Sequence, residues 1–594
     1  MLRLFQQHEL RKGKELNGMW DFVREDTGKA YRLPVPGCWE QHPDMLAYRG
    51  QGTYRTKLAV EQDTCLRLEF KGVSHTAQVF LDGEAVAEHY NAFTPFAAVI
   101  PGVKAGEHEL TVQVDNSFGE HSALHIPNDY YTYGGITRGV CMEEIPEVYI
   151  ERVHFTPQYR DGVWVGRTEV TVRSAGSGVG GRTGRSVGSS AGSGVGGSTG
   201  KSVGDSVSSM SSNTGCGKTA FCITGWLGEN VLMEMAGEVE PGGETILTTE
   251  QEFAGVTPWT PEEPALYLLK TRLSVDGKEI DDCIERVGFR TVSVKDGHIL
   301  LNEKPIFMKG FNRHEDHGMC GCAIPLQLMA QDLDLMRDMG ANAVRTCHYP
   351  NDELFLDLCD ERGILVWEEN HARGLDLEHM MNPNFDRQCE DCIREMIGNH
   401  YNHPSIVIWG ILNECASETE EGRKKYAAQY AQIRRMDQSR PTTSATCRHF
   451  TDICLDLPDV VSFNMYSGWY QDVPVKERHE QEMDWIASAG GAGKPVIVSE
   501  FGAAAIYGCR DRSRCKWSEE RQADIIRENL EVYQKDPRLS GAFIWQFADC
   551  RVTEEGGWFA TRARSHNNKG VVDEYRRPKI AYDTVKEFFE NWNG

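Results

Sequence analysis

The stretch SIVIWGILNE (405–414), with its counterpart PVIVSE (495–500), is a run of branched apolar residues that stops at a carboxylate. Each run is too apolar to alternate between a wet and a dry face, so each reads as a strand of a parallel sheet buried on both sides. At the C-terminal end of a barrel strand a side chain leaves the packed interior for the mouth, where such barrels keep their reactive groups. Glu414 and Glu500 are therefore the first candidates for chemistry. Either one alone also has a plainer reading, as a cap on the following helix or a solvated strand end.

Working outward, strand and helix patterns alternate from about residue 300. IFMKGFN, ANAVRTCH, ILVWEE, SIVIWGILNE, TTSAT, VVSFNMY, PVIVSEF and GAFIWQFAD supply eight strands, with helical segments such as PLQLMAQDLDLMRDMG and ETEEGRKKYAAQYAQIRRM among them. Eight such units in some 300 residues fit a (β/α)8 TIM barrel over 294–594. Glu414 then ends strand four and Glu500 strand seven, across the barrel from each other. Two opposed carboxylates are the equipment of glycoside cleavage: at roughly 5 Å apart one attacks the anomeric carbon while the other protonates the leaving oxygen and configuration is retained, whereas a wider gap admits water and inverts it.

The N-terminal half has a different pattern. Short runs such as CLRLEF, TAQVFLDG and HELTVQVDNS, punctuated by Gly, Asp and Pro, predict a jelly-roll-like β-sandwich over 1–148. VYIERVHFTP, KTAFCITGW and ERVGFRTVSV predict a smaller immunoglobulin-like β-sandwich over 149–293. The expected class is thus multidomain β plus α/β. The second sandwich is interrupted at 174–215 by Gly, Ser, Thr and Val, with SAGSGVGGRTGRSVG (174–188) recurring as SAGSGVGGSTGKSVG (190–204). That composition cannot bury enough surface to offset its ordering entropy and reads as a flexible loop. GKS at 200–202 and GKT at 217–219 are not phosphate-binding loops, because Val195 and Ser212 stand where the pattern requires glycine.

The 594 residues carry a formal charge of −25 and a pI near 5.3. Nucleic acid and an anionic membrane surface are excluded as partners, since both would be repelled. With neither a long apolar span nor a signal-peptide pattern in MLRLFQQHELRKGKELNGMW, the expectation is a cytoplasmic protein. The 18 cysteines are scattered through apolar runs and read as buried thiols. Cys389 and Cys392 form one CxxC on an expected helix with no second pair, and HEDH (314–317) lacks the histidine spacing of a zinc helix. No metal is expected.

GFNRHEDHG (310–318), AVRTCHYPN (343–351), NHPSIVIWGILNE (402–414) and VSEFG (498–502), in this order, make the chain resemble a family 2 glycoside hydrolase over nearly its whole length. The resemblance implies that Glu414 is the general acid/base, Glu500 the nucleophile, and Asn413 a ligand of the sugar 2-hydroxyl. It also gives Tyr466, at the end of VVSFNMY, a hydrogen bond to Glu500, with ordinary aromatic packing as the plainer alternative.

HNNKG contains Asn567 and Lys569, the Asn-x-Lys pattern by which β-glucuronidases of that family bind the carboxylate of a uronic acid. An amide and an ammonium side by side suit that anion. The same resemblance assigns substrate contacts to Asp129 in NDYYTYGGITR, His314 in RHED, Asn464 and Tyr470 in NMYSGWY, and Trp545 in IWQF. Arg562 is a further carboxylate contact, in competition with Arg564. It implies a retaining exo-β-glucuronidase acting on small or oligosaccharide glucuronides, in a homo-oligomer such as a tetramer, with no required cofactor; a flavin on the barrel surface is left open. Asn-x-Lys does not set the C4 configuration, so a β-galacturonidase or hybrid uronidase is the alternative. A β-galactosidase and a non-catalytic carbohydrate-binding protein are more distant readings. Two features depart from the resemblance. The segment 371–401 is too short for the loop that covers the site in some relatives, which predicts a more open entrance, and the Gly/Ser insert has no counterpart.

Overall fold

The computed structural model describes residues 2–176, 217–228, 230–554 and 561–592. Beyond residue 176 the Gly/Ser-rich segment lies outside them up to residue 216, so the reading of a flexible loop there is not addressed.

The first β-sandwich pairs a six-stranded antiparallel sheet with a four-stranded one. Its central strands alternate as a half-buried sheet must. In Gly106–Asp115 the inward residues are Leu110, Val112 and Val114, and in Thr76–Leu81 they are Ala77, Val79 and Leu81. These pack with Trp20, Phe22, Trp39 and Tyr54 into one core. The second sandwich sets a three-stranded sheet, Val148–Arg160, Val163–Ser174 and Glu244–Phe253, against a four-stranded one running from Thr219 to Val287. Hairpins in both sandwiches turn on Asp-Gly. At 82–83, 161–162 and 276–277 both residues have positive φ, as at 296–297 just before the barrel. This is the backbone that a two-residue type I′ connection requires and that Asp-Gly tolerates.

The C-terminal part closes into a parallel eight-stranded barrel. Its strands are β1 (Met308–Asn312), β2 (Ala343–Thr346), β3 (Leu365–Glu369), β4 (Ile406–Ile411), β5 (Thr442–Thr446), β6 (Val461–Asn464), β7 (Val496–Phe501) and β8 (Leu539–Ile544). Every residue of β4, β7 and β8 is buried, the two-sided burial that their unbroken apolar runs predict. The helix Phe385–His400 carries Cys389 and Cys392 on its core side, both buried, which explains the CxxC as packing. No helix among the described residues is long and apolar enough to cross a membrane.

One connection of the first sandwich matters for the site. After Asp115 the chain leaves its sheet and lies on the barrel. The Ala123 amide donates to Gln388 Oε1 at 2.9 Å, and the Thr553 amide donates to the Asn128 carbonyl at 3.1 Å. Asp129 and Tyr130 are thereby carried to the barrel mouth.

Candidate active site

All the candidate side chains gather at the C-terminal ends of the barrel strands, where a parallel barrel presents its functional groups. Glu500 is the penultimate residue of β7 and 2% exposed. Its Oε2 accepts from the Tyr466 hydroxyl at 2.7 Å, and its Oε1 accepts from Arg345 Nη1 at 3.0 Å. Glu414 stands three residues beyond β4, in the left-handed region at φ 55°. Its Oε1 accepts from Asn464 Nδ2 at 2.9 Å, and its Oε2 lies 3.2 Å from Arg373 Nη2. With 16% of its side chain exposed, it is the more open of the two carboxylates.

The glutamates are connected through a continuous polar chain. Asn464 Nδ2 also donates to Asn413 Oδ1 at 3.2 Å, Arg345 Nη2 donates to the same oxygen at 2.9 Å, and Arg345 reaches Glu500. Asn464 is itself fixed by the Ser499 hydroxyl, which donates to its Oδ1 at 2.7 Å. Asn413 Nδ2 is buried with no hydrogen-bond partner among the described residues, a donor left over for a bound molecule. Arg345 also clasps Glu369 through Nε at 3.0 Å and Nη2 at 2.9 Å, so the guanidinium is held in place.

Burial, and then the charge of Glu414, push the Glu500 carboxyl up to about 8, while Arg345, the Tyr466 hydroxyl and Arg373 pull it down. Although an apolar run precedes Glu414 in sequence, its surroundings are polar. Arg373 arrives from the segment after β3 and sets an ion pair against it. The Tyr466 phenol is pushed well above its ordinary range by burial and by both glutamates, so it remains a donor.

A second group of side chains faces this pair. Asp129 Oδ2 accepts from Arg562 Nη2 at 3.0 Å and from Asn567 Nδ2 at 3.1 Å, and its Oδ1 lies 3.1 Å from Arg373 Nη1. Burial raises the Asp129 carboxyl, but Arg373 and Arg562 outweigh it and hold it below its ordinary value. Lys569 is 1% exposed. Its Nζ donates to the Tyr470 hydroxyl at 2.8 Å, and Arg562 Nη1 donates to the same oxygen at 3.1 Å. Burial lowers the Lys569 ammonium below its usual range, only partly offset by Tyr470. Burial raises the Tyr470 phenol, but Lys569 and then Arg562 prevail and bring it down. Tyr470 sits on the rim, 57% exposed.

His314 stacks on Tyr130 with centroids 4.7 Å apart and meets the edge of Trp545 at 5.4 Å. Trp545 stacks on His348 at 5.0 Å. Between the two competing arginines the structure distinguishes clearly: Arg562 faces Asp129, whereas the Arg564 side chain is 59% exposed and 3.6 Å from Glu574.

Sequence reasoning missed Arg345, His348, Glu369 and Arg373. The first two lie in AVRTCHYPN, where an arginine within an otherwise apolar barrel strand is itself a signal. Arg373 lies in HARG of the short segment after β3, noted only for its length; an arginine in a loop carries no local sign of where it points.

Three family models match the chain in succession: the sugar binding domain of glycosyl hydrolases family 2 over residues 30–146, glycosyl hydrolases family 2 over 148–290, and its TIM barrel domain over 292–593. Among solved structures, the chain is similar to a GH2 β-galacturonidase from Eisenbergiella tayi bound to galacturonate. That comparison has 46% identity and a TM-score of 0.91, and covers 100% of both chains. A β-D-glucuronidase for Dictyoglomus thermophilum superposes with a TM-score of 0.81 at 25% identity, covering 98% of each chain. Among curated proteins, a β-glucuronidase of Streptococcus agalactiae is 28% identical over 98% of this chain and 96% of its own length.

Proposed function

Since the chain belongs to family 2 of the glycosyl hydrolases, we propose that its barrel mouth removes a terminal β-linked uronic acid by double displacement, with β-galacturonides as the principal substrates. The observation that carries the reading is Lys569: a buried ammonium whose one hydrogen-bond partner among the described residues is a phenol. A buried cation without a carboxylate partner is costly unless something anionic completes it. The carboxylate of a uronic acid does so, with Asn567 and Arg562 beside it.

In the proposed reaction Glu500 attacks the anomeric carbon as Glu414 gives its proton to the leaving oxygen. Water, deprotonated by Glu414, then releases the sugar. The step needs a proton on one carboxylate and a charge on the other. The productive form has that proton on Glu414 and the charge on Glu500, where Arg345 and Tyr466 stabilise it. Asn413 Nδ2 is placed to donate to the sugar 2-hydroxyl. The preference for galacturonides is supported by the Eisenbergiella tayi enzyme at 46% identity. β-Glucuronides are the second reading, supported by curated relatives such as that of Streptococcus agalactiae at 28%.

The test is proton NMR of the purified protein cleaving an aryl β-D-galacturonide and an aryl β-D-glucuronide. Release of the β-anomer of galacturonic acid as first product is expected. The α-anomer appearing first, or no cleavage of either uronide, contradicts the proposal.

A further inference from the structure

Beside the nucleophile stands a cluster that double displacement does not call on as a unit. One ligand atom from each of His314, Cys347 and His348 lies within 4.8 Å of the other two, and all three residues are buried. The Nε2 atoms of both histidines are buried without a hydrogen-bond partner among the described residues. Their other ring nitrogens are held: His314 Nδ1 by the Tyr349 hydroxyl at 3.1 Å and His348 Nδ1 by Glu369 Oε1 at 2.8 Å. An imidazole oriented through one nitrogen by a carboxylate or hydroxyl, with the other left open, is the usual state of a metal-ligating histidine. Burial pushes both rings down, His314 to about 3 and His348 well below its usual value, so both are neutral and have lone pairs to give. Glu500 Oε1 stands 3.8 Å from His348 Nε2, next to the three-residue cluster though not part of it.

We propose that His314, Cys347 and His348, with Glu500 as fourth ligand, form a tetrahedral site for a thiophilic divalent cation such as Zn2+, and that the bound ion excludes the sugar. The inhibition rests on the reading of this mouth as the uronide site; the binding does not. Two imidazoles, a thiolate and a carboxylate are a donor set suited to Zn2+ and poorly suited to Mg2+ or Ca2+. Zinc–nitrogen and zinc–sulfur bonds of roughly 2.0–2.3 Å set tetrahedral ligands about 3.3–3.6 Å apart, so the cluster must close by up to about 1.5 Å and Glu500 must turn toward it, by side-chain rotation. On binding, Cys347 gives its thiol proton to solvent and a metal–sulfur bond forms, with no change of oxidation state. The other cluster of this kind among the described residues, Asp357, Asp360 and His403, is already taken up. Arg3 donates to both Asp357 oxygens at 2.8 and 3.0 Å, and His403 is bonded to Asp360 at 2.6 Å.

The experiment titrates Zn2+ into the full chain during turnover and Co2+ into it for absorption spectroscopy. Cys347→Ser and Cys347→Ala are the variants. Expected are inhibition by Zn2+ competitive with the uronide and weakened at least tenfold in both variants. A thiolate-to-cobalt charge-transfer band should be present in the unaltered chain, absent from the variants, and displaced by galacturonate. Unchanged zinc sensitivity in a folded variant, or a band that survives loss of Cys347, overturns the proposal. Should neither variant fold, a band in the unaltered chain that saturating galacturonate fails to displace overturns it. A protein inert toward uronides that still shows the Cys347-dependent band would instead count against the proposed function and leave the metal site standing.

Discussion

The Tyr466 hydroxyl donates to Glu500 Oε2 at 2.7 Å, from a position two residues beyond β6 to one near the end of β7. This bond holds the carboxylate with its other oxygen toward Arg345, so it fixes the direction of attack. Tyr466→Phe removes the donor and keeps the ring. A hydrogen bond to a charged group contributes about 1.5–3 kcal/mol, so kcat on an aryl uronide should fall roughly 10- to 150-fold with little change in KM. Steady-state kinetics on the purified variant provides the check, and an unaltered kcat would mean that the tyrosine only packs.

Glu414→Gln removes the proton donor while keeping the acceptor for Asn464. General acid catalysis contributes typically 10²–10⁴-fold, most where the leaving group is poor. The variant should therefore lose far more activity on an alkyl uronide than on a nitrophenyl uronide. Comparing kcat/KM over a series of leaving groups measures this; an equal loss across the series would remove Glu414 from the acid role.

The raised carboxyl of Glu500 makes a stability prediction. A folded-state value of about 8 against an ordinary 4.5 means that between these two pH values the native state binds a proton that the unfolded chain has released. Stability contributed by this group is present at low pH and is lost as pH rises through that window. Glu500→Gln, neutral throughout, should gain Tm relative to the unaltered protein as pH goes from 5 to 8, with little difference near pH 4. Scanning calorimetry at several pH values checks this.

Lys569→Met separates binding from folding. A buried ammonium whose one hydrogen-bond partner among the described residues is a phenol gives little to stability, and an apolar side chain of similar length in its place is neutral or stabilising. Unpairing a carboxylate in the bound complex costs about 2–5 kcal/mol, roughly 30- to 4,000-fold in kcat/KM for a uronide. Unchanged Tm with a large loss on uronides is the expected pattern; a collapse of Tm would mark Lys569 as structural.

These positions differ in how far the chain alone discloses them. Glu414 and Glu500 could be read because each closes an apolar run, and the run and the carboxylate lie in one segment. Asn567 and Lys569 could be read only through the family resemblance, which supplies the Asn-x-Lys pattern; such a pair by itself means little. Arg373 could not. It reaches Glu414 and Asp129 from a loop whose direction depends on how the sandwich segment around Asn128 docks on the barrel, and Arg373 Nη1 donates to Asn128 Oδ1 at 2.6 Å. The polar setting of Glu414 is hidden in the sequence for the same reason: its sequence neighbours are apolar, its spatial neighbours are not. The Asp-Gly turns and alternating runs made the sandwiches legible, while the docking of Asp129 and Tyr130 onto the mouth is a contact between domains that no local pattern encodes.

The central claim is that the sugar brings its own carboxylate to Lys569. It is tested most directly by the ratio of kcat/KM for an aryl β-D-galacturonide to that for the matching β-D-galactoside, which differ only at C6. The account predicts that the uronide leads by about 10²-fold or more, and that Lys569→Met collapses the ratio. A galactoside turned over as well as the galacturonide by the unaltered protein would contradict it.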